Sequence, residues 1–228
     1  MSQAMAGELL RCFTALREEA YRSVRVIILR AAGDVFCAGG DLRDMSGNGE
    51  GAGAIFDKLL RAVNEAPQVV IARIHGPAMG GGLGLVCVSD IAIADEGATF
   101  GLPEVRLGLA PATIAPYVVQ RIGFTRARRL ALTGQRFDAA AALEYGLVHE
   151  VAPAGELDTR VEATVADVLK CAPNALRECK RLLFGVVNGA DTAADRVAAL
   201  DRLRASDEAA EGILAFIQKK PAPWVPDS

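Results

Sequence analysis

The stretch Gly76-Pro77-Ala78-Met79-Gly80-Gly81-Gly82-Leu83-Gly84-Leu85 decides the reading of this chain. It follows Val69 to Ile74, a β-branched apolar run short enough for a buried strand, and it leads into a short helical segment. Glycines at a strand-to-helix turn let a ligand come close to the backbone. The first N–H groups of the helix are unpaired there and carry a partial positive charge. A second pair, Gly39-Gly40, follows the strand-like run Val24 to Leu29 in the same way. Two such helix ends can grip one oxygen.

A dinucleotide turn is the obvious competitor, but Gly80-x-Gly82 meets Leu85 at the third place and Gly82-x-Gly84 meets Cys87, so the GxGxxG spacing fails twice. The phosphate-binding GxxxxGK[ST] pattern is absent as well. From the residues alone, turns and close helix packing explain either glycine cluster equally well.

Outward from these turns, Met5, Leu9, Leu10, Phe13 and Leu16 recur at helical spacing before Val24 to Leu29, and Ile55, Phe56, Leu59, Leu60 and Val63 mark one face of a second helix before Val69 to Ile74. With the strand Ile91 to Ala94 beyond the glycines, this is the order of right-handed crossover units on a parallel sheet: an α/β region to about residue 110. From Thr113 onward the chain reads mostly as helices, at Arg126 to Leu132, Ala139 to Tyr145, Leu157 to Lys170, Asn174 to Val187 and Ala193 to Leu203. We therefore expect an α/β core over 1–110 and a helical region over 111–228, with neither linker nor internal repeat between them.

The 228 residues, 51% of them hydrophobic, are enough for one ordinary domain and argue against disorder. The net charge of −3 and pI near 5.5, without a Lys/Arg run, predict no nucleic-acid partner. The uncharged run Leu107 to Gln120 is broken by Pro111 and Pro116, and no basic-then-apolar leader opens the chain; the expectation is a cytosolic protein with no membrane partner. Cys12, Cys37, Cys87, Cys171 and Cys179 form no CxxC pair and have only two histidines to help them, so no metal site is expected and the thiols are read as reduced, in or near the core.

Glu104 stands in Phe100-Gly101-Leu102-Pro103-Glu104-Val105-Arg106-Leu107-Gly108. Apolar surroundings would desolvate its carboxylate and raise its pKa toward the range useful for proton transfer. An acid in such a loop also serves as a cap or as an ion-pair partner, with Arg106 at hand.

Taken in order, Phe36-Cys37-Ala38-Gly39-Gly40-Asp41-Leu42, the Gly76–Leu85 stretch, Ser89-Asp90-Ile91-Ala92-Ile93-Ala94 and the Glu104 segment resemble the crotonase, or enoyl-CoA hydratase/isomerase, superfamily over nearly the whole chain. Leu130-Ala131-Leu132-Thr133-Gly134 and Ala142-Leu143-Glu144-Tyr145-Gly146-Leu147-Val148 add two family-like stretches. The resemblance implies a spiral of repeated ββα units with a C-terminal helical extension. Its substrate would be an acyl-CoA thioester, with no further cofactor. The thioester carbonyl would be polarised by the backbone N–H groups of Gly40 and Gly81, with Glu104 as the acid. By motif position, substrate or CoA contacts fall to Ala38, Gly39, Asp41, Leu42, Gly80, Gly84 and Pro103, with Asp41 also read as a helix cap. In the closing helix, matched by Ile213 to Pro221, Phe216 and Lys219 would reach CoA from a neighbouring subunit of a homotrimer or dimer of trimers.

The chain departs from the family's hydratases in one respect. They place a first glutamate three residues after the middle glycine, where this sequence has Gly84. A lone carboxylate is what the family's Δ3,Δ2-enoyl-CoA isomerases use, and a non-catalytic acyl-CoA binder is the third alternative. The segments around Gly80, Glu104 and Pro111 to Tyr117 are nonetheless similar to a bacterial branch of methylglutaconyl- and isohexenylglutaconyl-CoA hydratases of leucine and acyclic terpene breakdown. That similarity implies hydration of a conjugated thioester; a distal carboxylate would need a counter-charge, for which Arg43 and Arg106 are the nearest candidates along the sequence, though each reads first as a solvated surface arginine. His75 is read as a hydrogen-bonded structural residue and His149 as strand-edge surface. Family members also carry roughly thirty residues before the point matching Met1, including an initial strand pair whose absence would open a sheet edge.

Overall fold

A computed structural model describes residues 1–41, 44 and 51–226, with residue 52 described in backbone only. Leu42 and Arg43 lie outside the described residues. The chain enters on α1 (Gln3–Ala15), whose first turn is capped by the Ser2 side chain accepting from the Met5 N–H, and whose Ala6 and Phe13 are buried on one face toward α2 (Ala52–Asn64). The first strand, β1 (Val26–Leu29), starts two residues later than the apolar run suggests, because the Val24 N–H closes a turn on the Tyr21 carbonyl.

Beyond α2 come β2 (Val69–Ile74), β3 (Ala78–Met79), α3 (Gly81–Val88), β4 (Ile91–Asp95) and β5 (Thr99–Gly101), then a 3-10 turn over Glu104–Leu107. The remaining elements are α4 (Ala115–Ile122), α5 (Phe124–Thr133), β6 (Arg136–Asp138), α6 (Ala139–Tyr145), β7 (Glu150–Ala152), α7 (Leu157–Leu169), α8 (Pro173–Val187), α9 (Ala193–Arg204) and α10 (Asp207–Ile217).

One sheet has the order β1-β2-β4-β7, with β2 and β4 parallel in the register Ile71 to Ile91 and β4 and β7 parallel in the register Ile93 to Glu150. The α/β reading of the sequence is the observed fold. A second, small sheet has the order β3-β5-β6, with β3 and β5 parallel and β5 and β6 antiparallel; Phe100 and Phe137 stack across the latter pair with ring centroids 5.6 Å apart. These strands of two and three residues carry too few alternations to show a period in the sequence. They matter because β3 leads into the glycine turn and β5 into Glu104.

Close packing grows from the absent side chains. Cys37 bridges in parallel to Ala78, with the Cys37 N–H on the Pro77 carbonyl (3.0 Å) and the Met79 N–H on the Cys37 carbonyl (2.9 Å). A Cβ on Gly82 would lie 2.2 Å from that Cys37 carbonyl oxygen, and one on Gly76 would lie 2.2 Å from the Asp34 carbonyl oxygen. Only glycine at both positions lets the 34–40 loop lie on the start of α3.

By packing, the chain divides into one unit of Met1–Ala66 with Val70–Glu162 and another of Pro67–Val69 with Ala163–Ser228. The sequence boundary at 110 does not coincide with this division: Val118, Ile122, Ala127, Leu130, Ala139 and Ala142 on α4 to α6 belong to the same buried core as Leu59, Val70 and Phe100. Helices dominate beyond 110, but β6 and β7 also lie there and the core continues across the boundary. Within the first unit, Arg121 donates to the carbonyls of Leu147 (3.0 Å) and Ser89 (3.2 Å). His149, expected as strand-edge surface, is exposed just before β7 and also makes a contact: its Nδ1 accepts the Ala92 N–H at 2.9 Å, and desolvation together with the nearby Arg121 cation lowers its pKa. His75 Nε2 lies 2.8 Å from the Gly33 carbonyl, a structural contact.

In the second unit, the Glu208 carboxylate caps α8 by accepting from the Asn174 and Ala175 N–H groups, and Thr192 with Asp195 forms a capping box on α9. Trp224 Nε1 donates to the Lys170 carbonyl at 2.9 Å, its ring resting on Gly212. The five cysteines are free. Cys87 is buried, its thiol pushed up to about 12 by desolvation, and Cys37 is half-buried, but Cys12, Cys171 and Cys179 are exposed, contrary to the expectation of thiols in or near the core. Among the described residues no helix is long and apolar enough to cross a membrane.

Gly82→Ala is expected to cost about 1–3 kcal/mol in urea unfolding, because its Cβ meets the Cys37 carbonyl and Cβ, which cannot swing aside. In Gly7→Ala on α1 the new Cβ meets just the tip of Arg11 at 3.8 Å, and the gain should be about 0.5–1 kcal/mol.

Candidate active site

The three consecutive glycines face three different neighbours, and together these build the site. Gly80 holds φ 53° and ψ −119°, strained for any L side chain, and a Cβ there would lie 2.8 Å from Glu104 Oε1. Gly81 is the first residue of α3, and its Cβ position meets the Phe56 ring at 3.1 Å. Gly82 takes the Cys37 carbonyl described above.

Gly39 (φ 97°) brings the other loop to the same point: a Cβ on it would lie 3.2 Å from the Met79 carbonyl oxygen and 3.7 Å from the Gly81 nitrogen. Among the described residues neither the Gly40 nor the Gly81 N–H donates to a protein acceptor. For Gly81 this follows from its place in the first turn of a helix.

A cavity of about 320 Å³ opens at this junction. Its wall includes Ala38, Gly39, Gly40, Asp41, Gly80, Gly81, Pro103 and Glu104, so eight of the positions singled out from sequence line one space. Phe56, Leu107, Leu109, Pro111 and Ile114 give it an apolar side. Asp44 also lines the cavity and accepts the Gln3 N–H at 2.7 Å, anchoring the start of α1. Phe56, Asp44 and Ile114 were not singled out from sequence. Phe56 read as one more apolar position of an amphipathic helix, and nothing local marks which such residue will meet a glycine turn 25 residues away in sequence.

Two of the positions considered from sequence, Gly84 and Arg106, stand away from the cavity wall. Gly84 does not line the cavity: it sits behind Ile114, whose Cγ2 occupies the space 2.4 Å from where a Gly84 Cβ would be. Arg106 is drawn away, donating to the Thr133 carbonyl at 3.3 Å with its side chain over Gly134, and so leaves the cavity wall. Phe216 is 85% exposed at the end of α10 in the second unit, and Lys219 holds φ 54° just beyond, the left-handed residue that stops that helix. Leu42 and Arg43 fall outside the described residues.

Glu104 is half-buried, its Oε2 fully buried without a hydrogen-bond partner. Desolvation raises its pKa, and the hydrogen bond from its own backbone N–H pulls it back only in part. No Lys or Arg stands on the described cavity wall to offset the burial. An acid that stays protonated above the usual carboxylate range, beside two unpaired amides, can exchange a proton with a carbon next to a carbonyl. Among the described residues no cluster of three His, Cys, Asp or Glu is arranged to hold a metal ion.

This fold and site define a hydratase/isomerase-type enzyme built on paired glycine turns. The Enoyl-CoA hydratase/isomerase family profile matches residues 1–226, and the chain belongs to that family. A putative enoyl-CoA hydratase of Thermus thermophilus is 34% identical over 97% of this chain and 90% of its own length. Among solved structures, Pseudomonas aeruginosa AtuE superposes with a TM-score of 0.93 at 44% identity, covering 99% of this chain and 91% of its own. An enoyl-CoA hydratase/isomerase from Marinobacter aquaeolei does so with a TM-score of 0.90 at 41% identity, covering 99% and 90%.

Titration of the Glu104 carboxyl by carbon NMR should give a midpoint above the ordinary glutamate range. In Gly80→Ala, which displaces Oε1, the midpoint should fall toward that range; an ordinary midpoint in the unaltered protein would remove the desolvation argument.

Proposed function

We propose that the protein adds water across the conjugated double bond of an enoyl-CoA thioester. The observation that carries this reading is the half-buried Glu104 carboxyl set against the Gly80–Gly81 turn, on the same wall as Gly40. In this reading the thioester oxygen accepts from the Gly40 and Gly81 N–H groups. Negative charge grows on that oxygen as the β-carbon is attacked, and each preorganised donor is worth about 3–4 kcal/mol to such an oxyanion.

Glu104 then gives its proton to the α-carbon and recovers one from the water whose oxygen bonds the β-carbon. The net change is the addition of H and OH, with the acid returned to its starting state. Because the acid must begin protonated, kcat/KM for hydration should decline as pH rises through the raised Glu104 pKa, and dehydration should show the opposite limb. CoA enters as part of the substrate and the reading calls for no further cofactor.

Ile114 over Gly84 supports a single-acid site, and the same single acid would serve a Δ3,Δ2-enoyl-CoA isomerase, which moves one proton and needs no water. Sequence similarity favours a glutaconyl-type thioester. The described wall holds Asp41, Asp44 and Glu104 and no Lys or Arg side chain, and Arg43, outside the described residues, is the candidate counter-charge for a distal substrate carboxylate. Self-association as a homotrimer or dimer of trimers belongs to the same reading. It is supported by exposed Leu183, Val187, Leu200, Leu214, Phe216 and Ile217 in the second unit, an apolar burden typical of a covered face.

The deciding measurement is absorbance at the enoyl-thioester band with crotonyl-CoA, 3-methylglutaconyl-CoA and a 3-enoyl-CoA. Hydration bleaches the band and isomerisation of the 3-enoyl thioester raises it. A preference for 3-methylglutaconyl-CoA over crotonyl-CoA supports the glutaconyl substrate. Glu104→Gln should keep thioester binding while turnover falls about 10²–10⁴-fold; a fully active Gln variant would end the assignment.

A further inference from the structure

We propose that Ile114 sets which acyl groups the cavity admits, and that residue 84 is glycine because Ile114 seats in the space its Cβ would fill. This rests on the reading above that the cavity takes the acyl part of a thioester.

Ile114 is 2% exposed yet lines the cavity, so its side chain is the partition between that space and the interior of the first unit. Behind it stand Gly84, whose Cβ position is 2.4 Å from Ile114 Cγ2 and 3.1 Å from Ile114 Cβ, and Leu60, whose Cδ2 is 3.6 Å from the same position. A contact of 2.4 Å cannot be relieved by small adjustment, so any side chain at 84 must push Ile114 forward. Forward is the cavity.

The backbone holds Ile114 in this place. It is the residue before α4, its carbonyl accepts the Val118 N–H at 3.0 Å, and Pro111 and Pro116 flank it, limiting how far the segment can yield. Ile114 thus behaves as a piston whose depth is set by the size of residue 84. Shortening Ile114 deepens the acyl space, and lengthening residue 84 makes it shallower. No charge or proton is involved, so the effect falls on recognition of the acyl group and leaves Glu104 untouched.

The test uses two ligands that cannot react, butyryl-CoA and the branched isovaleryl-CoA, with binding measured by calorimetry on the full chain. One methylene in a hydrophobic pocket discriminates by roughly 10–200-fold. Ile114→Val, which removes only Cδ1 and is expected to fold, should shift the affinity ratio toward isovaleryl-CoA by about tenfold, and Ile114→Ala further. Gly84→Ala should shift the ratio the other way. In the double variant Gly84→Ala/Ile114→Ala the new methyl occupies vacated space, and the ratio should return close to that of the unaltered protein.

A purely structural Ile114 would lower stability and leave the ratio unmoved in folded Ile114→Val; that result, or a Gly84→Ala shift in the same direction as Ile114→Val, overturns the proposal. If the unaltered protein binds neither thioester, the acyl-CoA reading fails and this inference with it. Binding with an unmoved ratio fails the inference alone.

Discussion

Residues 36–40 and 76–82 run so close together that a carbonyl of one lies where side chains of the other would have to be, and the whole site is a consequence of that approach. The Cys37 carbonyl accepts the Met79 N–H while standing 2.2 Å from the Cβ position of Gly82. A hydrogen bond of this kind contributes about 1 kcal/mol net. The steric term is the larger, since any side chain at 82 would break the bond and part the two loops. With the loops together, Gly39 and Gly40 reach the start of α3. The Gly80 N–H, bonded to the Gly101 carbonyl at 2.9 Å, draws the end of β5 and therefore Glu104 to the same place.

The acid's behaviour follows from what surrounds it. Two influences oppose each other: burial of the carboxylate raises its pKa, and a hydrogen bond from its own backbone lowers it, with burial the stronger. A nearby cation would have reversed the balance. Arg106 is two residues away in sequence, but the 3-10 turn over Glu104–Leu107 sends it toward Thr133 and Gly134, leaving no Lys or Arg side chain on the described cavity wall. The same short turn thus supplies the acid and takes Arg106 off that wall.

Much of this was legible without coordinates, and the exceptions are specific. The helix Ala139–Tyr145 and the strand Val69–Ile74 have the bounds their apolar patterns suggested, because each is long enough to show a period or a continuous buried run. Glu104 and both glycine turns were marked by residue type and order. β3, β5, β6 and β7 were not, since two or three residues paired across long sequence separations leave no local signature. Gly84 was named by its motif position, where the family's hydratases carry a glutamate; what separates it from the cavity is the Ile114 side chain, which comes from a distant segment.

By itself the sequence determined the residue types on which the chemistry turns: glycines where backbone must approach backbone, an acid in an apolar segment, and the alternation of strands and helices that brings such segments to one end of a sheet. Tertiary structure alone decided which groups stand next to one another. That Ile114 fills the space beside Gly84, that Phe56 packs on Gly81 and that Arg106 reaches Thr133 and Gly134 are contacts between residues 25 to 30 apart in sequence. Such contacts are set by how elements pack against each other, and packing leaves no mark in the order of residues along either one.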